Sequence, residues 1–217
     1  MNAAFLDRLI DALMTDKPSV AIEAMRASGE LGHEVPELTR MVGAHQSRLY
    51  HLEDVWEHTM MVIDLAAGVK DQASDPARFM LAALLHDTGK AITEESHIDA
   101  ATGEVVYNNI GHPAAGAYVA ETVLRRFTDD RELRDYVFDF VGHHHAVYDI
   151  DKALQANGNV IDDRVRALLQ LKYLRDYALF NREADALGVI PGSKSGIRPA
   201  LFLAAYAEID PEFASRY

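Results

Sequence analysis

The sequence predicts an all-α protein, a helical bundle with one small β-hairpin. Apolar residues recur at three- and four-residue steps over most of the chain, Gly or Pro separates these segments, and a single segment gives a strand signal. With 217 residues, 49% of them apolar and 25% charged, the chain can bury a sizeable core. Intrinsic disorder is therefore excluded as its dominant state.

Three short helices are predicted near the N-terminus, because each periodic segment there is bounded by Pro or Gly. They cover residues 2–14, residues 19–28 and the segment from Pro36 to Gly43. A longer helix follows over residues 53–72. The next begins at Asp75-Pro76, ends at Gly89 and contains the run 79–85, which is apolar nearly all round. We expect this helix to be central in the bundle.

The strand signal lies between residues 97 and 110. Ile98 and the run 105–107 flank a Thr102-Gly103 turn there, which predicts a small hairpin. The remaining predicted elements are helices over residues 112–127, 131–145 and 162–187, a turn-rich loop over residues 188–199 and a short terminal helix.

Charge and cysteine content exclude several classes of function. The chain has 21 Lys and Arg against 34 Asp and Glu, a net charge of −13, which disfavours broad nucleic-acid binding. Without cysteine it has no disulfide, thiolate metal site or cysteine nucleophile. No apolar stretch reaches the roughly twenty residues of a membrane span, and the charged N-terminus does not resemble a secretory peptide, so we expect a cytoplasmic protein without membrane contact.

Ten histidines are the most informative count, because neutral imidazole is the commonest metal ligand. His86-Asp87 ends the most apolar helix, where a polar pair is costly unless something satisfies it. Other candidates fall on helix faces or ends: His58, His112, the triplet 143–145 and Asp176. Each alone is as readily structural, as a core histidine, a cap residue or half of a salt bridge. Convergence of all of them would indicate a metal site.

The order His58, His86-Asp87, Asp176 resembles the H…HD…D signature of the HD-domain metal-dependent phosphohydrolases. Within that superfamily, the chain is most similar to the HD region of bacterial CCA-adding tRNA nucleotidyltransferases, notably in residues 54–59 and 84–90. The likeness covers roughly residues 25 to 187. The Gly-Ser and Asp-x-Asp pattern of the nucleotidyltransferase head is missing, so we expect no nucleotide addition. The Gly-Tyr-Pro element of the HD-GYP phosphodiesterases is missing too, which disfavours cleavage of cyclic-di-GMP.

The resemblance implies one HD-type domain: an N-terminal helical subregion over residues 1–50, a metal-binding core over residues 51–187, and a loop with a terminal helix over residues 188–217. It also implies a metal site for one or two ions, with Asp87 as the bridge when there are two, and with the ligands His58, His86, Asp87, His112, His144, His145 and Asp176. Asp185 is the alternative to Asp176, and the choice among His143, His144 and His145 stays open. Nitrogen and oxygen ligands suit Mn, Fe, Ni, Co or Mg, without selecting one of them.

Substrate contacts are predicted beside this site. Lys90 is expected to act with Asp87 by holding a phosphate oxygen, the alternative being an exposed lysine that complements a helix dipole. Lys194 and Arg198 belong to a loop that is either a lid over an anionic substrate or a solvated linker. A general acid is not evident from the sequence; His51, His143 and Arg175 are candidates by residue type only.

The expected function is that of a metal-dependent phosphohydrolase that cleaves a phosphomonoester or phosphodiester with a metal-activated water. A nucleotide or a 2′,3′-cyclic phosphate is the expected substrate, and the sequence leaves the oligomeric state open. Two alternatives remain open at this point, an HD-type diiron oxygenase and a non-catalytic nucleotide-binding HD module.

Overall fold

The computed structural model describes residues 2–48, 51–185 and 200–216. Within these ranges the architecture is all-α with one two-stranded sheet, as predicted. None of the helices in these ranges has the length and apolar character needed to cross a bilayer. The helices are α1 (Ala3–Leu13), α2 (Pro18–Ala27), α3 (Glu30–Glu34), α4 (Pro36–Thr39), α5 (Val55–Ala67), α6 (Pro76–Leu85), α7 (Lys90–Thr93), α8 (His112–Leu124), α9 (Arg131–His143), α10 (Ala146–Ala156), α11 (Asp163–Leu169), α12 (Leu174–Glu183), α13 (Ala200–Tyr206) and α14 (Pro211–Arg216).

Aspartate caps define where several of these helices begin. Asp54 accepts a hydrogen bond from the backbone N–H of Glu57, whose side chain accepts one from the backbone N–H of Asp54, and this capping box starts α5. Asp75, Asp130 and Asp162 cap α6, α9 and α11, each accepting from the N–H three residues ahead. Because these helices carry the candidate site or pack beside it, the caps help to fix its position.

Helix α6 is the centre of the bundle. Every side chain from Phe79 to Leu85 is buried, and the helix packs against α1, α5 and α9. The prediction of a central helix is therefore confirmed. His86 and Asp87 follow the last residue of this helix and are themselves buried.

Two glycines let the end of α6 approach α8 closely. A Cβ atom added to Gly89 would lie 2.1 Å from the carbonyl oxygen of His112 and 2.5 Å from the backbone nitrogen of Gly116. Only a residue without a side chain fits such an approach. The contact brings the turn after His86 and Asp87 against the first turn of α8, which begins at His112.

The predicted hairpin is confirmed as β1 (Glu95–Ile98) and β2 (Val105–Asn108). The strands are antiparallel, with Glu95 opposite Asn108 and Ile98 opposite Val105. At the turn, the side chain of Asp99 accepts hydrogen bonds from the backbone N–H groups of Ala101 and Thr102. Gly103 has a left-handed backbone with φ of 74°.

Several predicted boundaries differ from the structure. The helix predicted over 53–72 is α5, which ends at Ala67, and the helix predicted to end at Gly89 is α6, which ends at Leu85. Residues 146–156 form α10, which the sequence analysis left without an element, and the long helix predicted over 162–187 is divided into α11 and α12. Neither Gly nor Pro marks the division, where the backbone makes turns with i−3 hydrogen bonds at Gln170, Leu171 and Leu174. The loop predicted over 188–199 lies outside the described residues.

Candidate metal centre

Asp87 lies at the centre of the candidate site, and its two carboxylate oxygens face different histidines. Oδ2 is 3.1 Å from Nε2 of His86 and 3.8 Å from Nε2 of His58. Oδ1 is 3.3 Å from Nε2 of His112 and 3.9 Å from Nε2 of His144. The carboxylate therefore stands between two groups of potential ligands.

The first group joins α5, the end of α6 and Asp185, two residues beyond the end of α12. Oδ1 of Asp185 is 3.3 Å from Nε2 of His58 and 3.8 Å from Nε2 of His86. One ligand atom from each of these residues lies within 4.8 Å of the other two. Behind His58, Oε1 of Glu53 lies 3.6 Å from its Nδ1. A carboxylate behind a histidine ligand fixes the orientation of the ring.

The second group consists of His112, His144 and His145, whose ligand atoms also lie within 4.8 Å of one another. Nε2 of His112 is 3.3 Å from Nε2 of His144. His143 points elsewhere, since its Nδ1 contacts the carbonyl oxygen of Asp139 and its side chain is 42% exposed. Of the triplet, the structure thus places His144 and His145 in this group.

Backbone carbonyl groups orient three of the rings. Nδ1 of His86, His112 and His144 lies 2.7–2.8 Å from the carbonyl oxygen of a residue three positions earlier. A ring that donates from Nδ1 carries its lone pair on Nε2. In all three residues Nε2 is the atom that faces Asp87. Each ring is therefore held in the tautomer that a metal ligand requires.

The pKa values differ between the two groups. Burial lowers the pKa of His58, but its contacts with Asp185 and Glu53 outweigh that effect and raise the pKa to about 9. Burial lowers the pKa of His112 to about 4 and that of His144 well below its usual value near 6.5. His112 and His144 are consequently neutral at pH 7, the form in which imidazole binds a metal ion.

Two buried atoms of the site have no hydrogen-bond partner, Nε2 of His86 and Oδ2 of Asp87. Oδ2 does form an ion pair with the Lys90 ammonium, 2.7 Å away, whereas Nε2 of His86 has no donor. Unsatisfied buried polar atoms cost free energy, so native structures rarely retain them without a reason. Imidazole nitrogens and carboxylate oxygens that face a common point fit a divalent cation.

The structure corrects the expectation for Asp176. Its Oδ2 accepts hydrogen bonds from the hydroxyl groups of Ser74 and Tyr136, the latter at 2.7 Å, and its Oδ1 accepts one from the N–H of Ser74 at 3.1 Å. Both oxygens are thus used in joining α12 to α9 and the segment before α6. Asp185, the alternative, lies just beyond the other end of α12, with its Oδ1 3.3 Å from Nε2 of His58.

A pocket of about 640 Å³ opens onto the site, and Asp87, Lys90, His112, His145 and Asp185 belong to its lining. Lys90 is buried, with its Nζ donating to Oε1 of Gln46 at 2.9 Å. Of the residues considered as general acid, His51 lines the pocket, whereas Arg175 lies over the ring of Phe213. Lys194 and Arg198 lie outside the described residues.

Several pocket residues were not singled out in the sequence, among them Tyr148 and Lys152. Both lie on α10, the helix that was not predicted. Val147, Ile150 and Leu154 are buried at three- and four-residue spacing, and that periodicity was the available signal.

Comparison with known proteins agrees with this geometry. A family model described as HD domain matches residues 55–187, and HD domains bind divalent metal ions. A protein called "Multifunctional CCA protein" from Methylobacillus flagellatus is 33% identical over 181 residues, which cover 83% of this chain and 41% of that protein. A protein of the same name from Cupriavidus metallidurans is 34% identical over 177 residues, which cover 81% of this chain and 40% of that protein. Another from Polaromonas naphthalenivorans is 38% identical over 138 residues, which cover 63% of this chain and 30% of that protein.

The chain spans about two fifths of the length of the first two relatives, and the family model accounts for more than half of the chain itself. The matched region begins at the first residue of α5 and ends just beyond Asp185, so it contains every residue of the two ligand groups. The chain therefore belongs to the HD domain family.

Proposed function

We propose that this protein is a metal-dependent phosphohydrolase that cleaves a phosphomonoester or phosphodiester of a nucleotide, with a 2′,3′-cyclic phosphate as the best candidate. The observation that carries the proposal is the position of Asp87. One carboxylate oxygen faces His58 and His86, and the other faces His112 and His144, at the base of an open pocket.

The residues divide into two ligand sets. His58, His86 and Asp185 would hold one ion, and His112, His144 and His145 would hold a second. Asp87 would contact both. Ions in such sites lower the pKa of a water molecule and polarise phosphoryl oxygens, which is the chemistry that phosphoester hydrolysis needs.

Lys90 supports a phosphorylated substrate. Its ammonium group is held by Gln46, lies 2.7 Å from Oδ2 of Asp87, and belongs to a residue that lines the pocket. A phosphate that entered the pocket would meet this positive charge next to the ligands, and a lysine provides such a point charge without fixed geometry. The orientation of the substrate would then place its phosphorus near the metal centre.

The choice of a nucleotide draws on the relatives. They are named multifunctional CCA proteins, and CCA is a nucleotide sequence, although this chain spans only part of them. The net charge of −13 argues against extended contact with a nucleic-acid backbone. A mononucleotide, or the terminal nucleotide of a nucleic acid, is consistent with both observations.

The test is hydrolysis by the purified protein, stripped of metal and reloaded with Mn²⁺, Fe²⁺, Ni²⁺, Co²⁺ or Mg²⁺ in turn. Substrates are p-nitrophenyl phosphate, bis-p-nitrophenyl phosphate, adenosine 2′,3′-cyclic phosphate and the three adenosine monophosphates. We expect at least one metal to support cleavage of a nucleotide ester. Metal-loaded protein that cleaves none of these esters would contradict the proposal, and oxygen uptake by the Fe²⁺ form would point to an oxygenase instead.

A further inference from the structure

One face of α10, together with His145 just before the helix, lines the pocket beside the metal centre. His145, Tyr148 and Lys152 lie at steps of three and four residues, which places them on the same side of the helix, and all three line the pocket. A helix rises 1.5 Å per residue, so Lys152 stands about 10 Å further along the axis than His145.

Lys152 differs from Lys90 in its surroundings. Lys90 is buried and engaged with Asp87 and Gln46. Lys152 is exposed and forms no ion pair or hydrogen bond with any part of the chain that the structure describes. Lys152 is thus a second positive charge on the pocket wall, distant from the ligands and available to an anion.

Strand β2 forms another part of the wall. Val106 and Tyr107 offer apolar and aromatic surface, and Asn108 lies beside them. The side-chain oxygen of Asn108 is buried without a hydrogen-bond partner. Asn108 is thus a polar residue of the pocket lining, next to the apolar and aromatic residues of β2.

From this arrangement we propose that Lys152 binds a second phosphate of the substrate, on the far side of the nucleoside from the reacting phosphoester, with the nucleoside against β2 and Asn108. The preferred substrate is then a nucleotide phosphorylated at both ends, such as a 2′,3′-cyclic phosphate that also carries a 5′-phosphate. This inference rests on the proposed function and makes Lys152 the residue that determines specificity between singly and doubly phosphorylated nucleotides.

The experiment compares adenosine 2′,3′-cyclic phosphate with its 5′-phosphorylated form. In wild type we expect a KM about tenfold lower for the 5′-phosphorylated substrate. In Lys152→Gln the two KM values become similar while kcat stays the same. Lys17→Gln, an exposed lysine that caps α2 outside the pocket, makes the same change in net charge and should keep the wild-type ratio. Asn108→Ala should raise both KM values by a similar factor.

Several results would overturn the inference: a wild-type KM ratio near one, a ratio that Lys152→Gln leaves unchanged, or an equal loss of preference in Lys17→Gln. An unchanged KM in Asn108→Ala would contradict the position of the nucleoside. If no ester is cleaved, calorimetric binding of adenosine 3′,5′-bisphosphate and adenosine 3′-phosphate to the metal-loaded protein makes the same comparison. A preference that depends on Lys152 there would support this inference although the proposed function had failed.

Discussion

Nζ of Lys90 lies 2.7 Å from Oδ2 of Asp87, three residues away across the turn that joins α6 to α7. Burial alone would raise the pKa of Asp87, but the neighbouring His86 and Lys90 outweigh that effect and hold the pKa well below its usual range. Asp87 is therefore a buried, ionised carboxylate. Such a group needs positive charge around it, which the lysine supplies on one side and a divalent ion would supply on the other.

Replacement of Asp87 by alanine should abolish hydrolysis and leave the protein folded. The variant removes the carboxylate that faces both ligand groups, so metal content should fall, and turnover should drop at least about a thousandfold, or about 4 kcal/mol of transition-state stabilisation. The anchoring run 79–85 is unchanged. Phosphate release, metal analysis and circular dichroism measure the three effects.

The control is Asp71→Ala, which replaces an exposed aspartate outside the pocket and should keep wild-type activity. A folded Asp87→Ala protein with more than a tenth of wild-type activity would refute the assignment of Asp87.

Asp185 and Asp176 should respond in opposite ways to replacement by alanine. Asp185→Ala should lower the metal content with little loss of stability, because its carboxylate contacts the histidines of the site. Asp176→Ala should lower the free energy of unfolding by about 2–4 kcal/mol, because the hydroxyl groups of Ser74 and Tyr136 lose their buried acceptor. Metal bound per folded molecule should stay at the wild-type value. Urea unfolding and metal analysis of both variants check this pair, and a metal loss confined to Asp176→Ala would reverse the two roles.

The same two aspartates explain how far the sequence leads. Helical periodicity and caps predict the central helix and place His58, His86 and Asp87 on helices or at their ends. Strand-forming runs around the Thr102-Gly103 turn predict the hairpin. All of these depend on local residues. The choice between Asp176 and Asp185 depends on which end of α12 reaches the histidines, because Asp176 lies in its first turn and Asp185 just beyond its last residue. That is decided by contacts with residues far away in the sequence. Nothing near Asp176 in sequence reveals that Ser74 and Tyr136 would engage it.

The ion pair between Glu37 and Arg126 should give the stability a pH dependence. Both carboxylate oxygens of Glu37 accept hydrogen bonds of 2.8 Å from the Arg126 guanidinium, which lowers the pKa of Glu37 in spite of partial burial. A lowered folded-state pKa means that the stabilisation is complete above the unfolded value, near 4.5, and is lost as the pH falls through the folded value.

Glu37→Gln should therefore be less stable than wild type at pH 7, by at most about 1 kcal/mol, and the difference should shrink below about pH 4.5. Urea unfolding at several pH values measures the difference. Glu104→Gln, in the exposed hairpin turn, serves as the control and should show no such trend. A difference that grew on acidification would have the wrong sign for a carboxylate with a lowered pKa.

Gly89 should not tolerate a side chain. The Cβ of an alanine there would stand 2.1 Å from the carbonyl oxygen of His112 and 2.5 Å from the backbone nitrogen of Gly116, so backbone on α8 must move away. Overpacking usually costs about 1–3 kcal/mol, and a clash with backbone on the facing helix belongs at or above the upper end of that range. The displaced segment includes His112, which faces Oδ1 of Asp87 from 3.3 Å. Metal affinity should therefore fall together with stability in Gly89→Ala.

The matched control is Gly32→Ala, where the added Cβ would meet only a methyl group of Thr39 at 3.7 Å, an ordinary contact. Calorimetric unfolding and metal titration of both variants separate packing from ligation. The decisive quantity is metal affinity at a temperature where Gly89→Ala is still fully folded. A reduced affinity under that condition means that the spacing between the turn after Asp87 and the start of α8 determines the ligand geometry, whereas wild-type affinity would restrict Gly89 to a role in folding.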